Sequence, residues 1–192
     1  MDNTGQKIID ATMALIRDKG YVATTTKDIA KEAGVNECTI FRKFKNKKDI
    51  IINAMEQEKW RANISPEILK NISWDLQEDI EMFMKVYMDR ITPDFVNLSI
   101  GLRAPQIYED TSELIMKVPL VFVEALKNYF NEMEKGELIP HVDAESLVMM
   151  IFSATFGYTF LMASFGNKLS EIDRERYIKE SAVLFCNGIL NR

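Results

Sequence analysis

Residues 24–48 read TTTKDIAKEAGVNECTIFRKFKNKK, from Thr24 to Lys48. Thr25 and Asp28 have the spacing of a capping box, so a helix is expected to open near Thr26. Ile29, Ala30 and Ala33 give it one small apolar face, and Gly34 supplies a residue that takes a left-handed turn without a Cβ penalty. Val35 anchors the turn, and Asn36 is a favoured N-cap for a second helix. Ile40 and Phe44, four apart, face inward. Glu37, Cys38, Thr39, Phe41, Arg42 and Lys43 are left to face outward. Asn46 and Asp49 repeat the capping signal and open a third helix. Two short helices joined at a glycine, the second polar and basic on its outer side, form a helix-turn-helix of the kind that enters the major groove of DNA.

Five of the seven residues from Arg42 to Lys48 are basic. Lys47 and Lys48 fall in the first turn of the third helix, where the helix dipole favours acids. A phosphate bound by free backbone N–H groups and two lysines resolves that conflict, against the plain alternative of two solvated lysines. Net charge is −5 over 192 residues, which alone argues against nucleic acid. The charge is unevenly placed, however. Residues 1–50 carry ten Lys/Arg against seven Asp/Glu, leaving 14 basic and 22 acidic residues in the remainder. A basic head on an acidic body suits a DNA reader.

Six short segments occur in a fixed order. They are Lys19-Gly20-Tyr21, Thr24-Thr25-Thr26, Ile29-Ala30, Ala33-Gly34-Val35, Thr39-Ile40-Phe41 and Phe44-Lys45-Asn46-Lys47. Over Ile8 to Ile50 this ordered set resembles the DNA-binding domain of the TetR (tetracycline-repressor-like) family. The resemblance implies an all-α protein. A three-helix DNA-binding domain over 1–50 would precede a helical effector-binding and dimerisation domain over 51–192. It implies DNA contacts from Thr25, Thr26, Lys27, Glu37, Cys38, Thr39, Phe41, Arg42, Lys43 and Lys47. The family usually carries a tyrosine where Phe41 stands, and its hydroxyl touches a phosphate; Phe41 keeps only the ring. Glu37 would repel phosphates unless it reads a cytosine amino group. Cys38 replaces a small residue, and as a redox switch it competes with the plainer role of space-filler.

The rest of the chain also reads as helical, with no alternating β pattern and no internal repeat. Helices are expected at about 6–19, 46–63, 75–91, 93–103, 111–135, 143–165 and 170–190, with a break at Ser65-Pro66 and a kink at Pro119. The start, MDNTGQKIID, has no apolar signal-peptide core. Cys38 and Cys186 make neither a disulfide framework nor a zinc site, so a reducing cytoplasm is the expected compartment. Leu147 to Phe165 runs without a charge and is long enough to span a bilayer. Its Ser, Thr, Gly and Tyr content and missing interfacial flanks favour a helix buried inside a dimer instead.

In the family a small molecule held in the body shifts the helix leading to the head. That changes the separation of two heads that must sit about 34 Å apart. Phe83, Tyr87, Phe95, Leu98, Leu102, Arg103, Met116 and Phe122 are the candidate lining, against the alternative that each is plain core. Eleven methionines suit an adaptable cavity, and an apolar lining asks for a lipophilic effector. Ile178, Ala182, Phe185 and Ile189 form an apolar seam; Ala154, Gly157 and Leu161 form a close-packing stripe. Both are candidates for a four-helix dimer interface, with monomer core as the alternative.

An enzyme is not expected. The single histidine, His141, sits beside Pro140, with no nucleophile, phosphate loop or metal-ligand spacing around it. The expected function is a ligand-responsive transcriptional regulator, by family default a repressor. It would need no cofactor and no membrane, and would bind a palindromic duplex as a homodimer released by a small, mostly apolar effector. The competing reading is a helical protein-interaction module that keeps the fold without specific DNA binding. The basic run from Arg42 to Lys48 argues against it.

Overall fold

The computed structural model describes residues 2–57 and 71–191. In chain order the helices are α1 (Asn3–Ala23), α2 (Thr26–Ala33), α3 (Glu37–Lys43), α4 (Lys47–Met55) and α5 (Leu76–Arg90). They continue as α6 (Pro93–Gly101), α7 (Pro105–Lys135), α8 (Ala144–Phe165) and α9 (Arg174–Leu190). No strand occurs among the described residues, and the chain is all-α.

Helix boundaries follow local chemistry. Asp2, Thr25, Asn36, Asn46, Asp75, Asp143 and Asp173 each cap a helix by accepting a backbone N–H in its first turn. The last helix therefore starts after Asp173 rather than near residue 170. α7 starts at Pro105, six residues before the expected position, because proline is tolerated at a first helical position and loses no bond there. The buried Thr111 hydroxyl donates to the Leu102 and Ile107 carbonyls at 3.1 Å each, tying this early turn down. α4 ends at Met55, where the Glu56 N–H closes on Ala54 and Ile52. The expected run to residue 63 is thus interrupted at 56–57; its remainder, and the Ser65-Pro66 break, lie outside the described residues.

The chain divides into two compact units. The first comprises residues 1–62 and 94–117, the second 63–93 and 118–192. The packing thus groups α6 and the first part of α7 with the head, where the motif reading places a boundary at residue 50. In the first unit, Ile8, Met13 and Ile16 of α1 pack with Ile29, Ile40, Ile50 and Ile51, and Leu98, Leu102 and Ile107 complete this core. A fully buried side chain of this size contributes about 1.5–3 kcal/mol. Gly101 is where α6 meets α1: a Cβ there would lie 2.6 Å from the Ile16 carbonyl oxygen, so only glycine fits.

In the second unit α5 packs on α9 and α8. Its buried polar centre is Asp79, which is 1% exposed. Asp79 accepts from the Ser73 amide (2.8 Å) and hydroxyl (3.1 Å), the Trp74 amide (2.9 Å) and the Tyr129 hydroxyl (3.0 Å). Four donors satisfy a charge that would otherwise be costly to bury. They also hold Trp74 at φ 64 with its ring stacked on Tyr129. By length and composition α8, with the 3-10 turn at Gly166–Lys168, qualifies as a membrane span, and only 28% of its most apolar stretch is buried.

Candidate nucleic-acid interface

The helix-turn-helix is built from local bonds. Thr25 Oγ1 accepts from the Asp28 amide at 3.1 Å, and Asp28 accepts from the Thr25 amide at 3.2 Å, closing the capping box. Asp28 also takes the Thr25 hydroxyl at 2.7 Å and the Lys19 ammonium at 2.8 Å. Lys19 first, then Thr25, hold its carboxyl well below the usual aspartate range. Gly34 adopts φ 66, and the next amide, of Val35, reaches back to the Ala30 carbonyl at 2.9 Å. Asn36 Oδ1 then accepts from the Cys38 amide at 2.9 Å and starts α3. Ile40 and Phe44, 0% and 5% exposed, seat α3 on the core.

This seating leaves Cys38, Phe41 and Arg42 outward, with Phe41 54% exposed. Thr39 is half-buried. Lys27 on α2, Arg42 on α3 and Lys45 after it are exposed, and no ion pair among the described residues engages them.

Other expected contacts are occupied within the first unit itself. Thr25 is the α2 cap. Thr26 donates its hydroxyl to Glu37 Oε1 at 2.6 Å, tying the start of α2 to the start of α3 and engaging one of the two Glu37 oxygens. Lys43 pairs with Asp2 at 2.5 Å, and Lys48 with Asp110 at 2.5 Å. Lys47 departs furthest from the phosphate reading. Its ammonium donates to the Tyr21 and Thr24 carbonyls at 2.6 and 2.5 Å and lies 3.9 Å from the centre of the Tyr21 ring. Burial, and next the Lys19 charge, lower its pKa below the ordinary lysine value. Lys47 is a clamp between α4 and the end of α1. The dipole conflict at its position is answered by carbonyls.

In the second unit, three of the eight candidate lining residues come together. Phe122 lies 4.9 Å from Tyr87 and 6.3 Å from Phe83, centroid to centroid. All three are buried, and burial pushes the Tyr87 hydroxyl pKa up. Leu98 and Leu102 belong instead to the core of the first unit. Phe95 is half-buried there, while Arg103 and Met116 are exposed. The sequence reading missed Phe152, Phe156 and Phe160. They recur every four residues along α8, half-buried, with neighbouring centroids 5.9 and 6.0 Å apart. Phe152 joins the row to Tyr87 and Phe122 at 5.6 and 5.9 Å. Their four-residue spacing was visible in the sequence.

Three of the four residues of the expected dimer seam on α9 are buried within the chain itself. Ile178, Ala182 and Ile189 are 3%, 0% and 2% exposed and form part of the second unit's own core. Phe185 and, on α8, Ala154 and Gly157 are half-buried, and Leu161 is exposed. The uncovered apolar positions are Met149, Met150, Leu161 and Phe165 on α8 and Leu184 and Leu190 on α9. Gly157 and Gly188 have open space before them.

Residues 8–54 match the bacterial regulatory proteins of the tetR family. Over 190 residues the chain is 30% identical to the uncharacterized HTH-type transcriptional regulator YvkB of Bacillus subtilis, covering 98% of each. The chain belongs to the TetR family. As a TetR-family protein it is a DNA-binding transcriptional regulator and not an enzyme. Solved structures that share its fold include two FadR regulators. The fatty acid degradation regulator FadR from Bacillus halodurans superposes with a TM-score of 0.72 at 22% identity, covering 98% of this chain and 97% of that one. FadR from Bacillus subtilis, in complex with stearoyl-CoA, gives 0.70 at 20% identity over 96% and 98%.

Proposed function

We propose that this TetR-family regulator is a cytoplasmic repressor that binds a palindromic operator as a homodimer and releases it when a small, mostly apolar effector occupies the second unit. The observation that carries the DNA reading is the outward face of α3. Arg42 is charged and exposed beside Phe41 and Cys38, with no ion pair among the described residues, and Lys27 and Lys45 flank it. Arg42 fits guanine O6/N7 or a phosphate, and the Phe41 ring fits a thymine methyl.

The uncovered apolar positions of α8 and α9 support the homodimer. Met150, Gly157 and Leu161 recur at helical spacing on α8, and Leu184 and Gly188 lie one turn apart on α9. A patch of this kind on a soluble chain marks an interface, and a second copy packing its own α8 and α9 against it would cover both with twofold symmetry. The same covering accounts for the apolar, mostly unburied α8 without a membrane.

The half-buried row Phe152–Phe156–Phe160 supports an apolar effector, and the stearoyl-CoA held by the Bacillus subtilis FadR names a chemistry to test first: a long acyl chain. Release requires only that the effector prefer the state that does not bind DNA. The test is calorimetric titration with stearoyl-CoA, followed by its addition to the protein–duplex complex. Saturable binding with loss of the complex is expected. Binding without loss of the complex, or no binding with a range of acyl and aromatic ligands, would overturn the effector reading.

A further inference from the structure

We propose that Asp2 is a built-in competitor of DNA phosphate for Lys43, so that the recognition helix must break an internal ion pair to use this lysine. The inference rests on the DNA reading above. Lys43 lies at the last position of α3, and its ammonium meets the Asp2 carboxylate at 2.5 Å across 41 residues of sequence. The lysine side chain is 22% exposed and the aspartate 63%, so the carboxylate is the outer partner.

Asp2 is fixed there by a second duty. Its Oδ1 accepts from the Gly5 amide at 2.8 Å as the N-cap of α1, and its backbone carbonyl accepts from Gln6 at 3.1 Å. The cap therefore presents the other oxygen, Oδ2, to Lys43 without a further ordering cost. The pairing is the first cause, and the Gly5 amide the second, of an Asp2 pKa below the ordinary aspartate value, so the competitor is charged at any working pH. A phosphate approaching Lys43 must displace a carboxylate already in place. The net gain of that contact is then smaller than at Arg42, which has no such partner among the described residues.

Asp2→Asn separates the two duties, because asparagine caps a helix as well as aspartate and carries no charge. The experiment measures binding of a random-sequence duplex across a salt series by wild type, D2N, K43A and the double variant, with melting curves as a fold control. D2N is expected to tighten binding roughly three- to tenfold at low salt and to steepen the log–log salt slope by about 0.9 per head, with Tm unchanged. In the K43A background the same substitution should change affinity less than about twofold, because the freed lysine is no longer there.

Unchanged binding by D2N would overturn the proposal. So would an equal gain with and without Lys43, which would reduce Asp2 to a general negative charge near the duplex. Failure of the DNA reading has a separate signature: wild type itself would show no salt-dependent duplex binding.

Discussion

The Lys47 ammonium sits 3.9 Å from the centre of the Tyr21 ring and donates to the Tyr21 carbonyl at 2.6 Å. With the Thr24 carbonyl at 2.5 Å, this one side chain closes the end of α1 onto the start of α4. Lys47→Met is therefore expected to destabilise the protein by about 1–3 kcal/mol, as loss of charged hydrogen bonds to carbonyls and a cation–π contact would. Urea unfolding measures it. Unchanged stability combined with weaker duplex binding would return Lys47 to phosphate contact.

Arg42→Ala is expected to weaken operator binding. If the guanidinium meets a phosphate, the loss is uniform across sequences and the salt slope falls by about 0.9 per head. If it reads guanine, sequence preference at one position of each half-site relaxes. A fluorescence-anisotropy series over salt and sequence distinguishes these. No change in either quantity would remove Arg42 from the interface.

The short-range features of the head were legible in its sequence because each cap is a bond between residues two or three apart: Thr25 with Asp28, Asn36 with Cys38, Asn46 with Asp49. The Gly34 turn is equally local. Lys47 was not legible, because its acceptors lie 23 and 26 residues away and only packing of α4 on α1 brings them near. Which face of α9 turns inward was not legible for another reason. It carries apolar residues on two faces, and periodicity does not say which face meets its own chain. Ile178, Ala182 and Ile189 turn inward, leaving Leu184 72% exposed. The packing of Leu98 and Leu102 into the core of the first unit was not legible either, because it depends on contacts of α6 with residues far away in sequence.

Leu184→Glu is expected to break the proposed homodimer while leaving the monomer folded, since the side chain touches little of its own chain. Burial of an aliphatic anchor contributes about 1.5–3 kcal/mol, so the dimer dissociation constant should rise about tenfold or more. Sedimentation velocity reads the shift to monomer. A variant that stays dimeric at the same concentrations would move the interface away from this face of α9.

The single histidine gives a pH prediction. His141 Nδ1 lies 2.7 Å from Glu134 Oε1; the Glu134 hydrogen bond and charge raise the His141 pKa above 6.5, and the same contact lowers Glu134. Glu134 is ionised throughout the relevant range, so the pair forms when His141 is protonated. Its contribution is fully present below the unfolded histidine value, about 6.5, and disappears as pH rises through the raised folded value. Proton NMR of the His141 ring should show the raised pKa, falling back in Glu134→Gln. An unchanged titration in that variant would mean the pair does not persist in solution.

The central claim is that two copies of the α3 face, with Arg42 and Phe41 outward, read a palindromic duplex. Selection of bound duplexes from a random pool by the purified full chain tests it most directly. The expected result is an inverted repeat with half-site centres about one helical turn, roughly 10 base pairs, apart. Recovery of no motif, with retention that vanishes on modest salt addition, would contradict it and leave a helical protein that has kept the fold without the specificity.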